Sequence, residues 1–182
     1  MGGAVDGFMK AASWGTPDKI LRGLEERRKL LGEFEVNVSL CSMVIPHTKI
    51  QCPTIQGAGT LLKWIIVVDG LQNVAPTTSY DRPHILSIKG MTNTSVDPNN
   101  LNPEGGEWIE INGTNLGPLG FNYPIEVTYG PNGFYYKATG CSIIVSSTIL
   151  RCRTSAGVGV NHVWTIKLRG QQSEPCSTKN CK

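Results

Sequence analysis

The chain is poor in charge and in aromatic side chains: of 182 residues, 17% are charged and 7% aromatic. A chain kept disordered by charge needs few apolar groups and a high net charge, whereas here 40% of residues are apolar and the net charge is +3. A pI near 8.5 falls short of the basic footprint of a dedicated nucleic-acid binder. No apolar run approaches the roughly 18 residues of a membrane-spanning helix. The three histidines, His47, His84 and His162, are scattered singly, so no metal-ligand spacing builds on them. G-x-S-x-G, Walker and paired-carboxylate patterns are missing. The GAG at 57–59 and GVG at 157–159 lack the third glycine and following helix of a dinucleotide loop, with Leu62 and His162 at the third position. They read as turn glycines. The sequence therefore points to no catalytic constellation, no cofactor and no metal.

Turn-forming residues are abundant, with 21 glycines and 11 prolines. Charge is unevenly placed, since residues 1–31 carry six basic and four acidic groups, +2 of the total, against +1 for 32–182. The opening MGGAVDGFMKAASWG lacks the basic start and apolar stretch of a secretory signal. Asp6 stands where a myristoylation site needs Ser or Thr. Residues 16–31 have the marks of a helix: Thr16 as cap, Pro17 at the first position, and Asp18 at the positive end. Ile20, Leu21, Leu24 and Leu31 share one face, Arg27, Arg28 and Lys29 lie near the end, and Gly32 can stop it. The pattern suits a short amphipathic helix packed on its own domain.

An internal repeat is the strongest signal. Shifted by 100 positions, CSMVIPHTKIQCPTIQGAGTLLKWIIVVDGLQ aligns without a gap on CSIIVSSTILRCRTSAGVGVNHVWTIKLRGQQ, with 11 of 32 residues identical. Average residue usage would give about two. Within the copy the periodicity is that of strands. Trp164, Ile166 and Leu168 alternate with Thr165, Lys167 and Arg169. Trp64, Ile66 and Val68 repeat this, with Ile65 and Val67 making the second face apolar too. Trp64 and Trp164 are therefore expected in the core of each module. A hairpin turning at Ser146-Ser147 pairs 145 with 148, 143 with 150 and Cys141 with Cys152. The same fold about Pro46-His47 sets Cys41 against Cys52. Cα separations across antiparallel pairs suit a disulfide, and two pairs of buried free thiols are the competing reading. Cys176 and Cys181 bridge each other or pair with a further module.

Upstream of the second copy, the chain reads as an extended opening at Arg82-Pro83-His84-Ile85-Leu86-Ser87-Ile88 and a turn-rich TNTSVDPNNLNPEGG. Strands then follow at Glu107–Asn112, Ile125–Tyr129 and Phe134–Ala138, with the corner GTNLGPLG and the turn Pro131-Asn132-Gly133 between them. Seven or so short strands in about 90 residues indicate an antiparallel sandwich. The elements PHILSIKG, GGEWIEINGTNLG, VTYG, the STILRC-x-T-x-x-G-x-G half and the closing W-x-I-x-x-x-G-Q-x-S strand resemble the TIG (IPT) domain family. The resemblance covers 83–173 and, for the first copy, only 32–73, whose opening strands are missing. It implies a mainly β protein of immunoglobulin-like (E-set) antiparallel β-sandwiches in tandem, with a short N-terminal helix. The expected organisation is a helical segment at 1–31, a partial repeat at 32–79, a complete sandwich at 80–175 and a cysteine-containing tail at 176–182. The chain is then a fragment, or has an unusual start, or uses 1–31 in place of the lost strands. Those lost strands predict an exposed sheet edge.

Sequons at Asn37, Asn93 and Asn112, with the paired cysteines, favour an extracellular or cell-surface setting. Arg151, Arg153, Lys167 and Arg169 form a candidate basic stripe, with a solvated sheet face as the alternative. The linker 75–82, with Pro76 and then Pro83, is expected to set the angle between modules. The resemblance implies a non-catalytic stalk or recognition module of a secreted or cell-surface protein, with a protein or glycan partner, no nucleic acid, and any membrane link through parts outside this chain. Two other classes compete: the TIG domain of an intracellular DNA-binding transcription regulator, and the accessory domain of a polysaccharide-processing enzyme.

Overall fold

The structure, a computed structural model, describes residues 8–11, 35–38, 41–68, 71–91, 97–120 and 123–177. Every regular element among them is a strand. The expected helix at 16–31 lies outside the described residues. Contacts divide the chain into two compact units, Met1–Gln56 with Thr60–Ser79, and Gly57–Gly59 with Tyr80–Lys182.

The first unit holds β1 (Phe8–Ala11), β2 (Glu35–Val38), β3 (Ser42–Ile45), β4 (Lys49–Gln51), β5 (Leu62–Val68) and β6 (Leu71–Thr78). One sheet has the order β2-β1-β5-β6, with β1 parallel to both of its neighbours, and β3-β4 form a separate two-stranded hairpin. Phe8–Ala11 is thus extended chain within the segment expected to be helical. The expected linker also starts later than 75, because β6 continues through Pro76 to Thr78. The β5–β6 ladder slips by one residue between Lys63 and Ile65, and a proline fits a bulge on an edge strand because no ladder donor is lost there. Trp64 is not a core residue. It is only half-buried, and its indole Nε1 donates to Thr78 Oγ1 at 2.9 Å in an exposed position.

The second unit is a sandwich of β7 (His84–Gly90), β8 (Trp108–Thr114), β9 (Ile125–Gly130), β10 (Tyr136–Lys137), β11 (Thr139–Val145), β12 (Ile149–Arg153), β13 (Val163–Leu168), β14 (Gln171–Gln172) and β15 (Cys176–Ser177). One sheet runs β11-β12-β8-β7; the other runs β10-β9-β13-β14, with β15 also on β13. The chain changes sheets at Ala138, whose N–H donates to Val127 O at 2.9 Å before β11 begins. Strict alternation aims Ile109 and Ile111 of β8, Leu150 and Cys152 of β12, and Trp164, Ile166 and Leu168 of β13 inward, all fully buried. In β7 the buried residues are Ile85 and Ile88, three apart, because the ladder to β8 slips one residue between Ile85 and Ser87. A bulge of this kind returns the strand to its inward phase.

The GTNLGPLG corner closes over the sandwich end. Gly117 has φ +90°, and a Cβ there would overlap the Tyr123 hydroxyl. Its carbonyl accepts the Ser147 N–H at 2.7 Å. Burial pushes the Tyr123 pKa up to about 12 against the pull of Arg169. Gly117→Ala combines left-handed backbone strain with that overlap. It is expected to destabilise the second unit by at least about 2 kcal/mol in urea denaturation; an unchanged midpoint would show that the corner can relax.

The two hairpins match at an offset of 100. Ser42 pairs with Gln51 and Met43 with Ile50, as Ser142 pairs with Arg151 and Ile143 with Leu150. Cys41–Cys52 and Cys141–Cys152 are disulfide-bonded, both with Cα atoms 4.2 Å apart. Positive φ recurs at His47 (62°) and Ser147 (61°), Gly59 (122°) and Gly159 (124°), and Leu61 (54°) and Asn161 (55°). The turn is one residue longer than the simple fold-back: Val145 lies opposite Ile149, not residue 148, and a slip between Ile143 and Val145 restores the 143–150 pairing.

Candidate recognition surface

Three loops of the second unit meet at one end of the sandwich: the approach to β8, the β9–β10 turn and the β12–β13 loop. Thr154 joins two of them. Its N–H donates to Glu107 O at 2.9 Å, its carbonyl accepts from Gly106 N–H at 2.9 Å, and its hydroxyl accepts from Glu107 N–H at 3.1 Å. Gly157 N–H donates to Pro103 O at 2.9 Å.

Two tyrosines fix the β12–β13 loop from beneath. The Tyr129 hydroxyl donates to Ser155 O at 2.9 Å and accepts Ser155 N–H at 3.0 Å; the Tyr136 hydroxyl does the same with Val158 O at 2.9 Å and Val158 N–H at 3.1 Å. Gly157 lies so close over the Tyr136 ring that a Cβ would sit 2.7 Å from it. Buried His162 meets both tyrosine rings edge-on, at centroid distances of 5.6 and 5.8 Å. A loop held this firmly presents Val158 and Val160 to solvent at 72% and 73% exposure.

The β9–β10 turn is anchored in the same manner. Phe134 N–H donates to Asn132 Oδ1 at 3.2 Å. The Gly133 carbonyl accepts from the hydroxyls of Thr128 and Thr165, which are 2.7 Å from each other. Phe134 and Tyr135 project from this base, Tyr135 at 74% exposure. Beside Phe134 lies a groove of about 250 Å³ lined by Glu126, Thr128, Thr165, Lys167 and Gln172. An aromatic wall, a hydroxyl floor, and Lys167 beside Glu126, whose carboxylate also pairs with Lys137 at 3.0 Å, make a surface suited to binding.

The four-residue basic stripe is not formed. Arg151 and Arg153 belong to β12 and Lys167 to β13, and these strands lie in different sheets, so their outward faces point to opposite sides of the sandwich. Arg151 is also neutralised by Glu110 at 2.8 Å, and the Arg153 guanidinium lies 5.1 Å from the Trp108 ring centroid. Arg169 sits at a turn with φ 43°, half-buried beside Tyr123 and Tyr80; burial lowers its pKa and the two tyrosines oppose that. Lys167 alone of the four reaches the groove. Asn112 lies on the outer face of β8, half-buried with Trp108 and Glu110. Asn37 falls in β2; Asn93 and Cys181 lie outside the described residues. Cys176 is disulfide-bonded and pairs in register with Trp164.

The strand expected at Phe134–Ala138 is confined to Tyr136–Lys137, so Phe134 and Tyr135 stand in the turn before it, and Val158 and Val160 stand in the β12–β13 loop, where alternation singles out no residue. The signal for the valines was the copy difference, since the first copy has Ala58 and Thr60 at those places.

Burial holds the His162 imidazole below the ordinary histidine pKa of 6.5. Near pH 6.5 the unfolded chain takes up a proton that the folded chain accepts only at lower pH. This contribution is therefore complete above pH 6.5 and is lost as pH falls through the depressed folded value. His162→Phe keeps both ring contacts and removes the titration. Urea midpoints measured from about pH 7.5 to 5 are expected to fall less steeply in this variant than in the parent; parallel profiles would exclude the effect.

The family model for the IPT/TIG domain matches residues 91–179, which covers the second copy alone. No curated protein and no solved structure matches the chain.

Proposed function

We propose, because residues 91–179 match the IPT/TIG domain family model, that the chain is a structural and recognition module of a secreted or cell-surface protein. An IPT/TIG domain is a non-catalytic immunoglobulin-like module; the setting and the partner are our reading. The observation that carries it is the loop end, where Phe134, Tyr135, Val158 and Val160 stand in solvent on hydrogen-bonded tyrosine and threonine anchors. A rigid scaffold presenting exposed apolar loops is the usual construction of a protein-binding surface. The oxidising setting is supported by the Cys41–Cys52 and Cys141–Cys152 bonds.

Peptide mapping without reduction, on the chain recovered from its natural source, tests the setting. Both bonds and an occupied sequon are expected; free thiols and bare asparagines would favour the intracellular class. The surface is tested by Tyr135→Ser with Val158→Ser. Val158→Ser should change stability by less than about 0.5 kcal/mol, and Tyr135→Ser, which removes an exposed ring lying edge-on to Tyr136 at 5.1 Å, by about 1 kcal/mol. Adhesion of beads coated with the protein to cells of the source tissue should fall, and undiminished adhesion would remove the loop end from consideration.

A further inference from the structure

The groove beside Phe134 is built by strand register. Lys167 lies opposite both Glu126 and Gln172, so these three stand in one row across β9, β13 and β14. Thr128 and Thr165 lie opposite each other two residues along, on the same outward face. The β9–β10 turn closes that end. Its Gly133 carbonyl takes both threonine hydroxyls, and Asn132 Oδ1 holds the Phe134 N–H. Phe134, 56% exposed, is thus a wall whose backbone is fixed above a polar floor.

The polar groups left over define what fits. Among the described residues, neither the Lys167 ammonium nor the Gln172 amide makes a hydrogen bond or ion pair. Glu126 gives Oε1 to Lys137, and Oε2 takes no bond. An apolar ring would strip water from all three groups with no compensating bond. A simple anion would meet the Glu126 carboxylate, and a simple cation would meet Lys167. The volume of about 250 Å³ lies below the roughly 300–1,000 Å³ that encloses a drug-sized ligand, so the groove takes a single ring. That ring has to be uncharged, donate and accept at adjacent positions, and offer a C–H face to an aromatic side chain.

We propose that this groove binds one neutral pyranose residue of a glycan. The C–H face of the sugar lies on Phe134. One hydroxyl donates to Glu126 Oε2, and its neighbour accepts from Lys167 Nζ or the Gln172 amide. Apolar contact supplies affinity, and the fixed polar groups select the arrangement of hydroxyls. This goes beyond the loop-end reading, with which it shares Phe134 alone.

The full chain, biotinylated through an appended tag and displayed as a streptavidin tetramer, is applied to an array of immobilised glycans. The array carries neutral terminal glucose, galactose, mannose, fucose and N-acetylhexosamine residues, with sulfated and sialylated glycans beside them. Binding to a subset of the neutral glycans is expected. It should be at least about tenfold weaker for Lys167→Ala and for Gln172→Ala, both exposed side chains, because each leaves a sugar hydroxyl unpaired. Arg153→Ala removes the same charge from the opposite side of the sandwich and should bind as the parent does. Amide NMR spectra of the unsubstituted chain give a second readout, independent of the folding of any variant. The free monosaccharide of the best-bound glycan should shift signals within 126–134 and 165–172. No neutral glycan bound, undiminished binding by Lys167→Ala, binding confined to sulfated or sialylated glycans, or shifts confined to other segments would overturn the proposal. Tyr135→Ser with Val158→Ser leaves every groove residue in place, so failure of loop-end adhesion leaves these readouts unaffected.

Discussion

Trp164→Ala is expected to remove about 3–5 kcal/mol from the stability of the second unit, the largest loss among single core truncations. The indole is fully buried in the middle of β13 and stacks on Tyr129 with centroids 4.2 Å apart and planes 12° from parallel. Removing it empties the space between the sheets and takes away the surface that holds Tyr129. Tyr129 in turn grips Ser155 at the base of the loop end, so the loop surface should loosen along with the core. The indole Nε1 is buried without a hydrogen-bond partner. Trp164→Phe keeps the stack and removes that unpaired donor, so its loss should be clearly smaller. Urea denaturation followed by near-ultraviolet circular dichroism measures both. A loss below about 1 kcal/mol for the alanine variant would contradict the buried position.

Removing the Cys141–Cys152 bond by Cys141→Ser with Cys152→Ala is expected to cost about 3 kcal/mol, the loop-closure value for an 11-residue separation. The bond ties β11, an edge strand with two register slips, to β12, which is paired on both sides. Without it the edge strand is the first element to fray. The equivalent change at Cys41 and Cys52 should alter bulk stability less, because Met43 and Ile50 bury little in the folded chain. Comparison of the two double variants by urea denaturation checks this. Equal losses would mean that the first hairpin is held by contacts beyond its own pairing.

The sandwich was legible because its strongest cues are short-ranged. Period-two alternation identified the inward face of β13 from Trp164, Ile166 and Leu168, and cross-strand parity placed Cys141 against Cys152. Parity survived a wrong turn length because the slip at Ile144 compensated for it. The basic stripe failed for a reason that alternation does not carry. Alternation separates in from out along one strand, but it cannot say which sheet a strand joins, and in a sandwich the two outsides face away from each other. The sheet change at Ala138 decides that, and its cue is a single hydrogen bond to Val127. Trp64 failed because burial belongs to the facing layer, and a sequence nearly identical in pattern to Trp164 meets a different surrounding. Thr165 shows the converse: it lies on the outward phase of β13 yet is buried, covered by the turn at Gly133. The loop end escaped notice since neither of its turns has a period.

Cys152 is wholly enclosed while Cys141 is partly open, and this makes the staple one-sided towards thiols. An incoming thiolate has to strike the Cys141 sulfur, because thiol exchange needs access to the atom attacked. The new mixed bond then forms at Cys141, and the electron pair leaves on Cys152 as a thiolate shut in among Leu150, Ile109 and their neighbours. Apolar surroundings disfavour that anion, so the leaving group is poor and the original bond reforms readily. Slow reductive wear is thus built into a hairpin whose outer strand is otherwise held from one side only.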